Sequence, residues 1–326
     1  MAQGPIEVSI APHIKDKETT RGIMWGVTIA LIPAGVAGVF IFGLGSLTVI
    51  LASIVSAVIS EALILAVRKK EMKTVYDGSA VLTGLLLAYN LPPNVPLWIP
   101  VTGSAFAIII AKQVFGGLGH NIFNPALAGR AFLMISWPAY MTSWHNPRWA
   151  ADGVTTATPL AAAKLKGSAM LSNVSGWDLF IGNHGGCIGE VCIIALAIGS
   201  AYLFIKKYIT WHIPASYILT VAVMSWVFNG RSGLFTGDAL FFVMAGGLVL
   251  GAFFMATDYV TSPLSAKGRL VFGIGCGLLT FVIRKFSGYP EGVSYAILIM
   301  NAAVPIIDRY TIPRWFGWKD ERAGSK

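Results

Sequence analysis

The sequence predicts an all-α integral membrane protein with about ten transmembrane helices, and two observations lead to that prediction. Of the 326 residues, 55% are hydrophobic and only 12% are charged, which is a composition typical of membrane proteins. Uncharged stretches long enough to cross a hydrocarbon core of about 30 Å alternate with short polar segments. The net charge of +9 does not indicate a nucleic-acid partner, because the basic residues lie between the apolar stretches.

Ten apolar stretches follow one another in two sets of five. Several are short or interrupted by proline, as at Pro92 and Pro93, and such stretches predict broken helices that end inside the protein. Because five is odd, the second set would cross the membrane in the opposite sense, as an inverted repeat. The predicted spans are 22–42, 47–67, 78–91, 97–111 and 121–137 in the first set, and 187–205, 211–228, 239–257, 270–283 and 292–307 in the second.

The distribution of basic residues predicts the orientation. If the N-terminus is cytoplasmic, seventeen of the 24 lysine and arginine residues fall on the cytoplasmic side, six fall outside, and Arg130 lies within a span. The positive-inside rule therefore predicts that both termini are cytoplasmic. The predicted parts are an N-terminal cytoplasmic segment 1–21, a first repeat 22–137, an outer loop 138–186, a second repeat 187–307 and a cytoplasmic tail 308–326.

One stretch of the outer loop, residues 152–159, combines several hydroxyl groups with a carboxylate. A threonine-rich turn next to a proline is common in surface loops, so the stretch by itself favours a structural turn over a chemical site. Its polar side chains are Asp152, Thr155, Thr156 and Thr158, and Pro159 follows them.

A second segment, residues 116–126, places two amides three residues apart at the predicted start of a helix. Asn121 and Asn124 are expected on one face of the first helical turn, ahead of Pro125. An amide offers both a donor and an acceptor, which suits the pyrimidine-like edge of a flavin or a nucleobase. Helix capping by Asn121 is the structural alternative, and it would account for one of the two amides.

Ionisable residues inside apolar spans are candidates for function because their burial is costly. Arg130 in mid-span needs a buried acid, backbone carbonyls or an anionic ligand, whereas Lys112 is expected to extend to the membrane interface. The three cysteines have no spacing typical of a metal site or a disulfide framework and are predicted to be small buried hydrophobes. The ionisable candidates are Glu61, Arg130 and Glu190 within spans and Asp77, Lys112, His120, Asp258 and Asp308 at span ends.

Taken in order, these segments resemble a family of bacterial membrane proteins. The family includes the RnfD component of the Rnf complex, an ion-pumping ferredoxin:NAD oxidoreductase, and, more distantly, the NqrB component of the sodium-pumping NADH:quinone reductase. Each motif alone is weak, but their common order over nearly the whole chain is specific. The matching segments are 9–14, 19–24, 76–93, 116–130, 152–158, 186–190 and 255–263.

The resemblance implies a fold and two flavin sites. The family fold is the ten-helix inverted repeat shared with urea transporters. The family carries FMN joined through its phosphate to the last threonine of a Ser/Thr-x-Ala-Thr motif, which here makes Thr158 the acceptor. Asp152 is the acid at the usual offset, and Thr155 and Ala157 complete the motif.

A non-covalent riboflavin is the second implied cofactor. In the related quinone-reductase component it lies against two asparagines that match Asn121 and Asn124. Asp308 matches an acid linked to cation passage in that relative, and Glu61 and Asp258 are further candidates for an ion path.

The function implied by the resemblance is electron transfer within a translocase of the bacterial inner membrane. Such a protein would lie in the lipid bilayer with the other Rnf components, RnfA, RnfB, RnfC, RnfE and RnfG, and the FMN of RnfG on the outer face would be its electron partner. The complex would couple electron transfer between ferredoxin and NAD to Na⁺ or H⁺ translocation. The alternative is a solute channel or transporter on the same scaffold without a redox role.

Overall fold

The computed structural model describes residues 18–69, 72–149, 155–165, 175–230, 233–288 and 291–311, and within these ranges the chain is mostly helical. The helices and strands are α1 (Thr20–Phe42), α2 (Leu44–Val67), a 3-10 helix (Met72–Asp77), α3 (Ser79–Tyr89), α4 (Trp98–Phe106) with a π-helical continuation (Ala107–Gln113), α5 (Pro125–Ser136), α6 (Pro138–Met141), β1 (Trp144–His145), β2 (Thr155–Thr156), α7 (Pro159–Leu165), α8 (Gly176–Ile181), α9 (Ile193–Ile205), α10 (His212–Phe228), α11 (Ala239–Met244), α12 (Leu248–Leu250) with a second π-helix (Gly251–Met255), α13 (Ala266–Phe286) and α14 (Val293–Thr311).

Two long apolar helices come first. α1 begins after Thr19, whose hydroxyl accepts a hydrogen bond from the backbone N–H of Gly22 at 3.1 Å. It ends at Gly43, which has a φ of +91° and also precedes α2, so a single residue joins the two helices. Glycine adopts this φ without strain, and it therefore ends the first helix where a larger residue would not.

Within the described ranges, three helices, α1, α2 and α13, are long and apolar enough to cross a membrane. Shorter apolar helices, α3, α5, α9 and α10, lie in other predicted spans. This agrees with the predicted all-α membrane architecture. The count of ten spans, the inverted symmetry and the five-part division of the chain remain predictions.

The predicted span 239–257 is not one continuous helix. Gly246 and Gly247 have φ values of +75° and +66°, and they separate α11 from α12. Arg284 of α13 donates hydrogen bonds to the carbonyls of Phe242, Ala245 and Gly246 at 2.6, 3.0 and 2.9 Å. These bonds satisfy carbonyl groups that the broken helix leaves without helical partners. Charge counting placed Arg284 among the outer basic residues, whereas its side chain is buried against this break.

Helices from the two predicted sets pack directly on each other. α1 contacts α9, and α5 contacts α14. At the first contact Gly199 lies against α1 so closely that a β-carbon there would collide with the carbonyl oxygen of Ala30. Gly38 lies in the same way against the carbonyl of Ile188. We call this contact of α1 with Gly199 and Ile188 the glycine seam, and one continuous hydrophobic core extends across it.

The predicted outer loop holds short elements that pack on the C-terminal end of α1. β1 pairs antiparallel with β2, and the backbone N–H of Arg148 donates to the carbonyl of Ile41 at 2.9 Å. α7, α8 and α11 share a small cluster of buried side chains, Leu160, Leu179, Phe241 and Ala245. Gly182, which ends α8, also lies against Ile41. The loop elements are thereby held near one end of the long helix.

Candidate functional site

A cavity of about 770 Å³, open at its mouth, lies between helices of the two predicted sets. This volume includes space that is open to solvent, and most of the lining is apolar. It lies at the N-terminal end of α1, where Ile23, Met24 and Val27 form part of the wall. The polar side chains in the wall belong to Ser79, Thr83, Lys112, Asn121, Asn124, Tyr208, Thr257, Asp258 and Tyr259.

Asn121 and Asn124 both line this cavity, but they are not on one helical turn. α5 begins at Pro125, and Asn124 is its N-cap: the Asn124 Oδ1 accepts from the backbone N–H groups of Ala126 and Leu127 at 3.1 and 3.4 Å. Asn121 precedes the helix in an irregular segment. The prediction of a shared helical face was therefore wrong, and the capping residue is Asn124 and not Asn121, the residue named in the structural alternative.

The two amides differ in what they leave free for a ligand. Asn124 Nδ2 donates to the carbonyl of Met255 at 3.2 Å, and Asn121 Nδ2 donates to the carbonyl of Phe123 at 3.0 Å. Among the described residues nothing donates to Asn121 Oδ1, and each Nδ2 retains a second N–H. The site therefore offers one amide acceptor and two amide donors to a ligand that presents a mixed polar edge.

Asp258 also lines the cavity, from the connection between the second π-helix and α13. Its carboxylate accepts a hydrogen bond from the hydroxyl of Thr261 at 3.0 Å. Burial raises the pKa of the Asp258 carboxyl group, and the bonds from Thr261 and from the Val260 backbone oppose that rise. Asp258 is thus an acid of the cavity wall whose charged form is disfavoured by its surroundings.

Lys112 and Glu61 form a buried ion pair beside the cavity. Lys112 Nζ lies 2.6 Å from Glu61 Oε1, and the two residues are 1% and 0% exposed. The prediction that Lys112 extends to the membrane interface was wrong, because its π-helix packs on α2 and brings the ammonium group to Glu61 instead. A buried ion pair of this kind is tolerated only when both charges are hydrogen-bonded.

A second buried cluster surrounds Arg130, outside the cavity. Arg130 donates to Asn90 Oδ1 at 2.6 Å and to Ser294 Oγ at 3.0 Å, and it forms an ion pair with Glu291. Sequence reasoning indicated that Arg130 needs a partner but missed Glu291, which lies just before a predicted span. The side-chain atoms of Cys187, Glu190 and Glu291 that could bind a metal ion lie within 4.8 Å of one another. Arg130 supplies positive charge beside them.

Thr158 is buried, which differs from the accessible hydroxyl expected of an attachment residue. It is 2% exposed, and its Oγ1 accepts from the backbone N–H of Ala161 at 3.2 Å, ahead of α7. Thr155 lies in β2, Ala157 is exposed, and Asp152 falls outside the described residues.

Asp308 is the remaining predicted ion-path acid, and it does not line the cavity. Its Oδ1 accepts from the backbone N–H of Leu264 at 3.1 Å and so fixes the connection that precedes α13. Of the three predicted acids, Asp258 is in the cavity wall and Glu61 contacts a residue of that wall, so the structure brings two of them to one place.

The sequence model of the NQR2, RnfD, RnfE family matches residues 7–317. The chain belongs to this family.

Relatives within the NQR2, RnfD, RnfE family align along almost their whole length. The chain is 50% identical over 317 residues to the D component of the proton-translocating ferredoxin:NAD(+) oxidoreductase complex of Clostridium ljungdahlii, covering 95% of this chain and 96% of the relative. It is 50% identical over 316 residues to the D component of the Na(+)-translocating complex of Acetobacterium woodii, covering 96% and 95%. It is 39% identical to the D component of the ion-translocating oxidoreductase complex of Ectopseudomonas mendocina over 333 residues, covering 97% of each chain.

The relatives are named as subunits of multi-subunit complexes, and several apolar helices together with this family membership indicate a multi-pass membrane protein.

The resemblance to the family implies two flavins, and the structure bears differently on each of them. The polar groups of the cavity suit a riboflavin, because free amide groups lie in an otherwise apolar wall. The surroundings of Thr158 do not fit an attached FMN as they stand, because the hydroxyl is buried.

Proposed function

We propose that this protein is the electron-transfer subunit of an ion-translocating ferredoxin:NAD oxidoreductase complex, with a riboflavin in the cavity lined by Asn121 and Asn124. The observation that supports the proposal is the convergence of these two amides, predicted from sequence, on one cavity of about 770 Å³. Riboflavin supplies the redox chemistry there, and the protein supplies position and electrostatics.

The residues of the cavity have distinct tasks in this proposal. Asn121 presents an acceptor and a donor to the polar edge of the ring system, and Asn124 adds a donor while it holds the start of α5. Phe253 and Phe254 of the second π-helix, with Leu82 and Leu86 of α3, exclude water from the ring. The rival function, a solute channel, requires a conducting path and gives these free amide groups no specific role.

Substitution of Asn124 by leucine tests the riboflavin site. We expect Asn124→Leu to lower the non-covalent riboflavin extracted from the purified complex at least about tenfold, because one hydrogen bond is lost and the N-cap of α5 is weakened, each a change of about 1 kcal/mol. Flavin in the acid extract is measured by fluorescence after chromatography. Asn183→Leu, an amide change in the predicted outer loop and outside the cavity wall, is the control. Unchanged recovery in Asn124→Leu would contradict the proposal.

We further propose that Thr158 carries the covalent FMN, on the support of its register in the threonine motif. Because its hydroxyl is buried as the N-cap of α7, a transferase reaches it only when α7 has left its packing site. We expect flavin fluorescence to migrate with the polypeptide on a denaturing gel when a flavin transferase is co-expressed. Thr158→Val should abolish the fluorescent band, whereas Thr156→Val should keep it, and a bright band in Thr158→Val would assign the attachment elsewhere.

A further inference from the structure

A thiol and two carboxylates meet where the two predicted sets of helices pack together, outside the wall of the cavity. Cys187 and Glu190 belong to the segment before α9, and Glu291 immediately precedes α14. They are 0%, 6% and 9% exposed, so each is more than nine-tenths buried. Their metal-binding atoms lie within 4.8 Å of one another. We call these three residues the thiol–carboxylate cluster.

A tight turn brings the thiol and the first carboxylate together. The backbone N–H of Cys187 donates to Glu190 Oε1 at 3.0 Å, so the carboxylate folds back over the residue three positions before it. Two glycines leave room for this carboxylate: a β-carbon at Gly186 would lie 3.0 Å from Oε1, and one at Gly247 would lie 2.6 Å from Oε2. Gly247 also has a φ of +66°, which favours glycine. The surrounding backbone is therefore shaped to hold a carboxylate at this place.

The cluster has one more buried carboxylate than it has paired cations. Arg130 forms an ion pair with Glu291 through Oε2, and its Nη2 lies 3.7 Å from Cys187 Sγ. Among the described residues no lysine or arginine forms an ion pair with Glu190, and nothing donates to Glu291 Oε1. Arg284 adds positive charge from α13, but its donors are directed to backbone carbonyls of the helix break. Because an uncompensated buried carboxylate is costly, the cluster has a place for one more cation.

We propose that the thiol–carboxylate cluster binds one divalent metal ion of borderline softness, such as Zn²⁺. A thiolate sulfur with two carboxylate oxygens suits such an ion, whereas Mg²⁺ and Ca²⁺ are bound by oxygen ligands. Binding breaks the Cys187 S–H bond, forms a metal–sulfur bond and releases the proton to solvent, and no electron is transferred. With Arg130 retained, the net charge of the site changes from −1 to 0. Three protein ligands leave a fourth tetrahedral position for water.

A second, smaller cavity provides access to this site. Its volume of about 210 Å³ includes space open to solvent, and Arg130, Glu291 and Ser294 are in its lining. Arg130 and Glu291 thus border both the cluster and an opening, and a metal site needs such an entry path. The bound ion joins the segment before α9 to the segment before α14, so it acts as a structural crosslink. This inference is independent of the riboflavin assignment.

Zinc analysis of the purified complex tests the site. We expect the parent complex to retain one zinc ion more than Cys187→Ser after dialysis against a weak chelator, as measured by mass spectrometry. Loss of a ligand should weaken zinc binding by more than the factor of about 10–100 that is typical of residues that only support a ligand. Cys276→Ser changes another buried cysteine, in α13, and as the matched control should retain the zinc of the parent.

X-ray absorption at the zinc edge identifies the ligands in the parent complex and does not depend on the assembly of any variant. We expect one sulfur at about 2.3 Å and oxygens at about 2.0–2.2 Å. A spectrum without this mixed sulfur and oxygen environment overturns the proposal.

The zinc content itself has two further outcomes that overturn the site. One is an equal content in the parent and Cys187→Ser, which means that the zinc is bound elsewhere or adventitiously. The other is absence of zinc from the parent both as purified and after incubation with zinc sulfate, which means that the two carboxyl groups share a proton instead. If Cys187→Ser fails to assemble, Glu190→Gln removes a different ligand at constant size, and the same loss of zinc is expected.

Discussion

Arg130 and Lys112 are both buried cations, and each finds an acid that is remote in sequence. Lys112 pairs with Glu61 across 51 residues, and Arg130 pairs with Glu291 across 161 residues. In each case the two charges come from different helices or from the segment before a helix. The need for a partner can be read from a charge in an apolar span, but the identity of the partner depends on how the helices pack.

Arg130→Met is expected to destabilise the protein by about 3–5 kcal/mol, because Glu291 then remains buried without its cation. The double variant Arg130→Met/Glu291→Met should recover much of the loss, since an apolar pair has no charge to bury. Thermal unfolding in detergent, followed by intrinsic fluorescence, measures both. Arg309→Met, at an exposed position, should have little effect. Equal stability of Arg130→Met and the parent protein would show that the ion pair contributes nothing.

Among the helices, the two π-helices were not predicted from the sequence. One carries Lys112 and the other carries Phe253 and Phe254, so both contribute to the cavity wall. Residue periodicity assumes 3.6 residues per turn, and a π-helix departs from that period without a clear signal in composition. The spans around Lys112 and Phe253 were therefore predicted as helices, but the direction in which these side chains point was not.

At α7 the sequence identified the residue of interest, Thr158, and the structure then showed that its hydroxyl is buried. The motif register singles out Thr158, but only the fold shows that Leu160 of the same helix is buried with Leu179 and Phe241. Lys164 further ties α7 to α13 by donating to the carbonyl of Arg284 at 2.9 Å. Access to the Thr158 hydroxyl therefore depends on how firmly this short helix is packed.

Leu160→Ala is expected to speed FMN attachment at Thr158, because truncation of a buried leucine weakens packing by about 2–5 kcal/mol and favours the undocked helix. The rate of appearance of the fluorescent band after addition of a flavin transferase is the measurement. Leu264→Ala changes a leucine that is 70% exposed and should leave the rate unaltered. An attachment rate in Leu160→Ala equal to that of the parent protein would show that packing of α7 does not limit access.

For the molecule as a whole, the glycine seam fixes the first predicted set of helices against the second. Apolar length predicted where α1, α2 and α13 lie, to within a few residues. It did not predict that α1 meets α9 at Gly199, because a glycine within an apolar stretch gives no sign of which neighbour approaches it. Close backbone approach of this kind leaves little freedom for one set to move as a unit against the other.

Gly199→Ala is expected to destabilise the protein by about 1–3 kcal/mol, since its β-carbon meets the backbone oxygen of Ala30, which cannot rotate away. Gly176→Ala is the matched control, because a β-carbon at Gly176 meets no atom within 4 Å. Thermal unfolding of the two variants in detergent gives the comparison. Equal melting temperatures would mean that the seam yields easily and that the two sets move more freely than the packing indicates.

The cavity and the predicted outer loop lie at opposite ends of α1, and this separation has an electrical consequence. Val27 lines the cavity and Ile41 contacts the loop, so fourteen residues, or about 21 Å of helix, separate the two levels. That is about two-thirds of a hydrocarbon core of about 30 Å. Moving one charge across a full potential of 100 mV takes about 2.3 kcal/mol, so an electron passing between these levels exchanges about 1.5 kcal/mol with the membrane potential. Electron transfer along this axis would therefore be electrogenic in its own right, before any cation has moved.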